Sequence, residues 1–160
     1  MNYIVLGLPG TGKTTICKTV AEKSNLTYIN DYQILKTNGI LFENNADILN
    51  NDYSQYILDF LKDKDNLILD LQYTLKPNQI KQINAIACYL GFSKIEPGVL
   101  VSLLNKKDNS ITLDVAKLFI QKSKEMSHLC NKENIPYCEI DKNRDKIINE
   151  VLCKFKIKKS

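Results

Sequence analysis

The 160 residues are 44% hydrophobic and 25% charged, an ordinary balance for one globular domain with a buried core. A formal net charge of +4 does not by itself argue for nucleic acid, and no apolar run approaches the roughly 20 residues of a membrane span. Five cysteines, odd in number and without a C-x-x-C pair, argue against a disulfide framework or metal cluster and for buried free thiols in a reducing cytoplasm.

Residues 2–6 read as the first strand, apolar through Tyr3-Ile4-Val5-Leu6, and a strand this early predicts no secretory leader. Gly7-Leu8-Pro9-Gly10-Thr11-Gly12-Lys13-Thr14 follows and fits the phosphate-binding pattern G-x-x-x-x-G-K-[ST] at every position. A triphosphate tail concentrates several negative charges in a small volume. Successive backbone N–H groups surround it where side chains would crowd, and the glycines allow the chain to curl that tightly. A helix beginning near Lys13 aims its unpaired N–H groups and positive dipole end at the anion. The ATP-binding set is therefore Leu8, Pro9, Gly10, Thr11, Gly12, Lys13, Thr14 and Thr15. Lys13 is expected on the β- and γ-phosphates, and the Thr14 hydroxyl on Mg²⁺.

Residues 13–24 read as that helix, with Ile16, Val20 and Ala21 at helical spacing. Residues 26–30 read as a second strand, and 47–64 as a long amphipathic helix. Residues 67–70 form a short buried strand ending in Asp70. Residues 77–90 read as a helix with Pro77 in its first turn, stopped by Gly91. Residues 99–104 read as a strand, 113–131 as a helix, 136–140 as the last strand, and 144–155 as the last helix. The single histidine, His128, falls in a polar helical stretch with no role assigned. Lys156, Lys158 and Lys159 read as a solvated terminus.

Five strands, each followed by a helix, predict one domain over residues 1–160. Its fold class is α/β: a three-layer sandwich around a five-stranded parallel sheet, which with the phosphate loop after the first strand resembles the P-loop NTPase arrangement. Ligands of such sheets bind beyond the carboxyl ends of the strands. The candidates at 7–15, Asp31, Asp70, 105–107 and 141–144 each follow an expected strand and gather on one rim. A carboxylate at Asp70 suits a water on the Mg²⁺ held by Thr14, a base, or a plain turn.

The loop, in its Gly7-Leu8-Pro9-Gly10-Thr11-Gly12-Lys13-Thr14-Thr15 form, resembles that of the nucleoside monophosphate kinases and related small-molecule kinases. Leu69-Asp70-Leu71-Gln72-Tyr73-Thr74-Leu75-Lys76-Pro77-Asn78-Gln79 is similar to that family's D-G-F-P-R-T-x-x-Q segment, one residue longer. Ile135-Pro136-Tyr137-Cys138-Glu139-Ile140-Asp141 resembles its last strand. The resemblance implies a phosphotransferase using ATP and Mg²⁺ on a small acceptor, a nucleotide or nucleoside. It implies that residues 141–144 cup the adenine, with Asp141 beside it and Arg144 stacked on the base.

The family surrounds the transferring phosphate with arginines, each able to contribute on the order of 10³–10⁵ in rate. Arg144 is the only arginine here, and the matching places hold lysine: Lys106 and Lys107 in the lid, Lys36 near the acceptor. Asp31 reads as the base that takes the proton of an acceptor hydroxyl, or as a helix-start Asp. If Asp31 is a base the acceptor is an alcohol; if Lys36 binds a phosphate it is a monophosphate. Gln72 and Tyr73 border either pocket. A nucleotide-binding regulator without transfer chemistry and a 5′-hydroxyl polynucleotide kinase are the alternatives.

Overall fold

The computed structural model describes residues 1–41, 48, 51–106, 111–140 and 144–156. In chain order these form β1 (Asn2–Gly7), α1 (Lys13–Ser24), β2 (Thr27–Asn30), α2 (Asp31–Lys36), α3 (Ser54–Leu61) and β3 (Leu67–Leu71). Then come α4 (Pro77–Ile80), β4 (Ala85–Gly91), α5 (Pro97–Leu104), α6 (Leu113–Glu133), β5 (Tyr137–Glu139) and α7 (Arg144–Lys154). All four strand pairings are parallel, in the order β2-β3-β1-β4-β5. The expected α/β sandwich with a five-stranded parallel sheet is therefore present.

Period-two alternation along the strands sorts their side chains into two layers. Ile4 and Leu6 of β1, Leu69 and Leu71 of β3, and Ala87 and Tyr89 of β4 face α2, α3, α4 and α6. Val5, Ile68, Cys88, Leu90 and Cys138 face α1 and α7, against Ile16, Cys17, Val20, Val151 and Phe155. A third cluster joins Leu8 and Phe92 to Leu100 and Leu104 of α5 and Phe119 of α6. It lies directly beneath the loop after β1. The chain leaves β1 toward one side of the sheet and β4 toward the other, so a crevice opens at their carboxyl ends.

Three elements differ from the sequence expectation. The helix expected over 77–90 is a four-residue helix followed by β4, the strand beside β1. Its apolar run is buried on both faces, so no alternation distinguishes it from a buried helix. The strand expected over 99–104 is α5: Pro97 starts a helix at Glu96, and Leu100 and Leu104, four apart, are its buried face. The loop holding Lys106 therefore follows a helix, not a strand. The helix expected over 47–64 is, among the described residues after position 50, only Ser54–Leu61. Asp52 accepts hydrogen bonds from the Ser54 N–H and hydroxyl and defines its start. Four cysteines are buried and free as expected, whereas Cys153 is exposed. Lys156 is exposed at the end of the described chain, and Lys158 and Lys159 lie outside the described residues.

Candidate active site

The loop after β1 turns on two left-handed glycines, Gly10 at φ 87° and Gly12 at φ 81°. A side chain at Gly10 would also strike Leu104, whose Cδ2 lies 2.3 Å from where a Cβ would stand. The end of α5 thus rests on the loop, and Lys106 stands two residues beyond that contact. Thr11 pins the curl internally, its hydroxyl donating to the Leu8 carbonyl at 2.8 Å. Gly12 is the N-cap of α1, with no side-chain cap and no acidic residue in the first turn. The N–H groups that most helices satisfy with a side chain are left for an anion.

Asp70, buried at 3% exposure as the penultimate residue of β3, is the hub of the site. The Thr14 hydroxyl donates to its Oδ2 at 2.7 Å, and Lys13 Nζ lies 3.5 Å from its Oδ1. The Tyr28 hydroxyl also donates to Oδ2, at 2.6 Å. Lys18 Nζ stands 5.6 Å from the centre of the Tyr28 ring. Burial, reinforced by that bond to Asp70, pushes the Tyr28 hydroxyl up to about 12, so it stays a donor. A hydroxyl and a carboxylate oxygen held side by side, beside a lysine, form the hard-oxygen donor set that Mg²⁺ takes. The residues present fit that ion.

Asn30, not Asp31, caps α2. Its Oδ1 accepts from the Gln33 N–H at 3.0 Å, while Gln33 Oε1 accepts from the Asn30 N–H at 2.9 Å. Asp31 is freed from capping and turns inward at 2% exposure, its Oδ2 accepting the Gln72 N–H at 2.7 Å. Burial raises its carboxyl to about 6, against the lowering effect of that N–H and of Lys13. At neutral pH it is mostly ionised. Gln72 Nε2 donates to the exposed Tyr32 hydroxyl at 3.3 Å.

Lys13, Thr14, Asp70, Asp31 and Gln72 are thus brought to one rim. Tyr73 spends its hydroxyl on the Leu90 carbonyl at 2.7 Å, a strut across the sheet that packs against Tyr89. Thr15 is exposed in the first turn of α1. Lys36 is exposed in the last turn of α2, five residues and about 7.5 Å of helix from Asp31. Arg144 is the first residue of α7. Lys107 and Asp141 lie outside the described residues. Tyr28 and Leu104 were missed. Tyr28 reaches Asp70 only because the register sets Asn30 beside Asp70, and no local pattern carries that.

A family model described as an AAA domain matches residues 4–87, just over half the chain. An adenylate kinase from Thermococcus onnurineus (strain NA1) is 26% identical over 140 residues, covering 86% of this chain and 58% of that protein. The chain therefore spans less than two thirds of that curated relative. A sugar kinase from Janibacter sp. HTCC2649 superposes over 98% of this chain and 94% of its own, with TM-score 0.65 and 14% identity. The deoxyadenosine kinase from M. mycoides with bound dATP does so over 98% and 100%, with TM-score 0.61 and 15% identity. At such identities the structural likeness speaks to the fold. The resemblance to P-loop small-molecule kinases read from the sequence is borne out. Among the described residues no helix is long and apolar enough to cross a membrane.

Proposed function

The chain belongs to the AAA domain family, and from that premise we propose that it is a phosphotransferase passing the γ-phosphoryl of ATP to the hydroxyl of a small acceptor. One observation carries the reading: a buried carboxylate, Asp31, stands on the same rim as Lys13 and the Thr14–Asp70 pair. The uncapped start of α1 and the loop N–H groups bind the phosphates, and Lys13 lies along the β- and γ-oxygens. Thr14 and Asp70 would hold Mg²⁺, which neutralises charge on the phosphate oxygens when bound. The acceptor oxygen bonds to the γ-phosphorus while its proton passes to the Asp31 carboxylate. The bond from that phosphorus to the bridging oxygen breaks, and ADP leaves. Gln72 N–H keeps Asp31 aimed during the transfer.

An alcohol acceptor is favoured over a monophosphate because Asp31 is inward and perturbed, whereas Lys36 is exposed at the far end of its helix. The adenylate kinase relative supports phosphoryl transfer from ATP, and the kinase neighbours share the fold. Incubation with ATP, Mg²⁺ and pools of nucleosides, nucleoside monophosphates, small sugars and 5′-hydroxyl oligonucleotides tests it, with ADP as the readout. Acceptor-dependent ADP that disappears in Asp31→Ala is the expected result. ADP formation indifferent to every pool refutes the reading. Tight ATP binding without turnover, unchanged by Asp31→Ala, would instead identify a nucleotide-binding regulator, which the single arginine, Arg144, favours as the second reading.

A further inference from the structure

We propose that the acceptor is an uncharged nucleoside, held in the cavity between α4 and α6 beside Asn51 and Asp52; this rests on the phosphotransfer reading above. The cavity measures about 560 Å³, within the range of small-molecule sites. Tyr73 and Thr74 line it. The residue before them, Gln72, donates its N–H to Asp31, and the Thr74 N–H in turn bonds the Gln72 carbonyl at 2.7 Å. The cavity wall therefore begins one residue beyond Gln72, and on the proposed assignment the acceptor's hydroxyl end is directed to that turn.

Charge and wall chemistry select the ligand class. Lys76 and Lys122 face the cavity, and so do Asp52 and Glu125, leaving the described lining formally neutral. A phosphomonoester carries up to two negative charges and is recognised where basic groups exceed acidic ones, with arginine the fitted partner. Among the described residues this lining has no arginine and no cationic excess. Ile48, Met126 and Leu129 supply an apolar side, while Asn51, Asn78 and Gln79 supply amide donors and acceptors. A heterocyclic base has that division: two apolar faces and an edge of donors and acceptors. A simple sugar offers only small C–H patches between its hydroxyls and covers the apolar side less completely.

The full chain with ATP and Mg²⁺ is assayed against adenosine, guanosine, cytidine and thymidine and against their 5′-monophosphates. Calorimetric titrations of the same compounds run in parallel. At least one nucleoside is expected to give ADP with kcat/KM at least tenfold above its 5′-monophosphate. Asn78→Trp, an exposed position on α4, is expected to raise that nucleoside's KM at least tenfold and leave the Kd for ATP unchanged. Glu125→Lys, exposed on α6, is expected to narrow the gap to the monophosphate at least fivefold. A monophosphate preferred tenfold, an unmoved KM in Asn78→Trp, or no heat from any nucleoside overturns the assignment. Nucleoside binding weakened by Asn78→Trp but without turnover would keep the cavity and its ligand class and remove only the transfer reading.

Discussion

Asp31→Asn is expected to make the protein more stable and, at the same step, to stop it working. The buried carboxyl titrates at about 6 rather than near 3.8, because removal from water penalises its ionised form more than Gln72 N–H and Lys13 compensate. That rise corresponds to about 3 kcal/mol working against the ionised fold at neutral pH. Asparagine keeps an oxygen for the Gln72 N–H and carries no charge to bury, so about 1–3 kcal/mol should return. At ~2–4 °C per kcal/mol for a chain of this size, the melting temperature at pH 7.5 should climb by about 2–12 °C. The sign of the pH dependence follows from the raised value. The protonated form favours the fold, so the contribution is complete below the ordinary value and is lost as pH rises through about 6. The gap between variant and parent should accordingly shrink by more than half on going to pH 4.5. Acceptor-dependent ADP release should fall by about 10²–10⁴ at pH 7.5 for loss of a general base. In the parent the rate should rise with pH through about 6 and then level. Scanning calorimetry of both proteins at the two pH values, with ADP release alongside, measures each part. A variant that melts at or below its parent at pH 7.5, or a gap of the same size at both pH values, refutes the reasoning.

Three further outcomes follow from the same geometry. Tyr28→Phe removes one of the donors to Asp70 Oδ2; about 1–2 kcal/mol of stability should go with it. The magnesium needed for half-maximal turnover should rise severalfold, and a magnesium titration that does not move contradicts the positioning role. Leu104→Ala empties the contact beneath Gly10 and should cost about 2–4 kcal/mol in denaturant unfolding. It should also weaken ATP binding about tenfold in calorimetry, since the loop loses its support; full affinity in a destabilised variant would separate the two roles. Lys36→Ala should leave the acceptor KM within about twofold, and a tenfold rise would return that lysine to the acceptor site.

The elements that were legible carry their information locally. The loop 7–14 announces itself because each residue type answers a local demand: glycines for left-handed turns, Lys13 for charge, Thr14 for a hydroxyl. Helix Lys13–Ser24 follows directly from the loop that starts it, and strand Leu67–Leu71 is a short apolar run with a carboxylate near its end. Residues 85–91 and 97–104 were misread for the complementary reason. An apolar run buried on both faces shows no period, and Val-Leu repeats fit a strand until Pro97 is seen to start a helix. At Asp31 both local readings were reasonable; the Asn30–Gln33 box takes the cap, and Asp31, the first residue of the helix, turns its carboxylate inward.

By itself the amino-acid order determined the fold class, the phosphate loop and the carboxylate at the end of the third strand, because each is written in neighbouring residues. Only the tertiary structure decided that Thr14, Tyr28 and Lys13 converge on Asp70, that Asp31 is withdrawn from water, and that Leu104 rests on Gly10. Those contacts join residues tens of positions apart through sheet register and helix packing. No local pattern specifies such a distance, because it is set by which strands lie side by side.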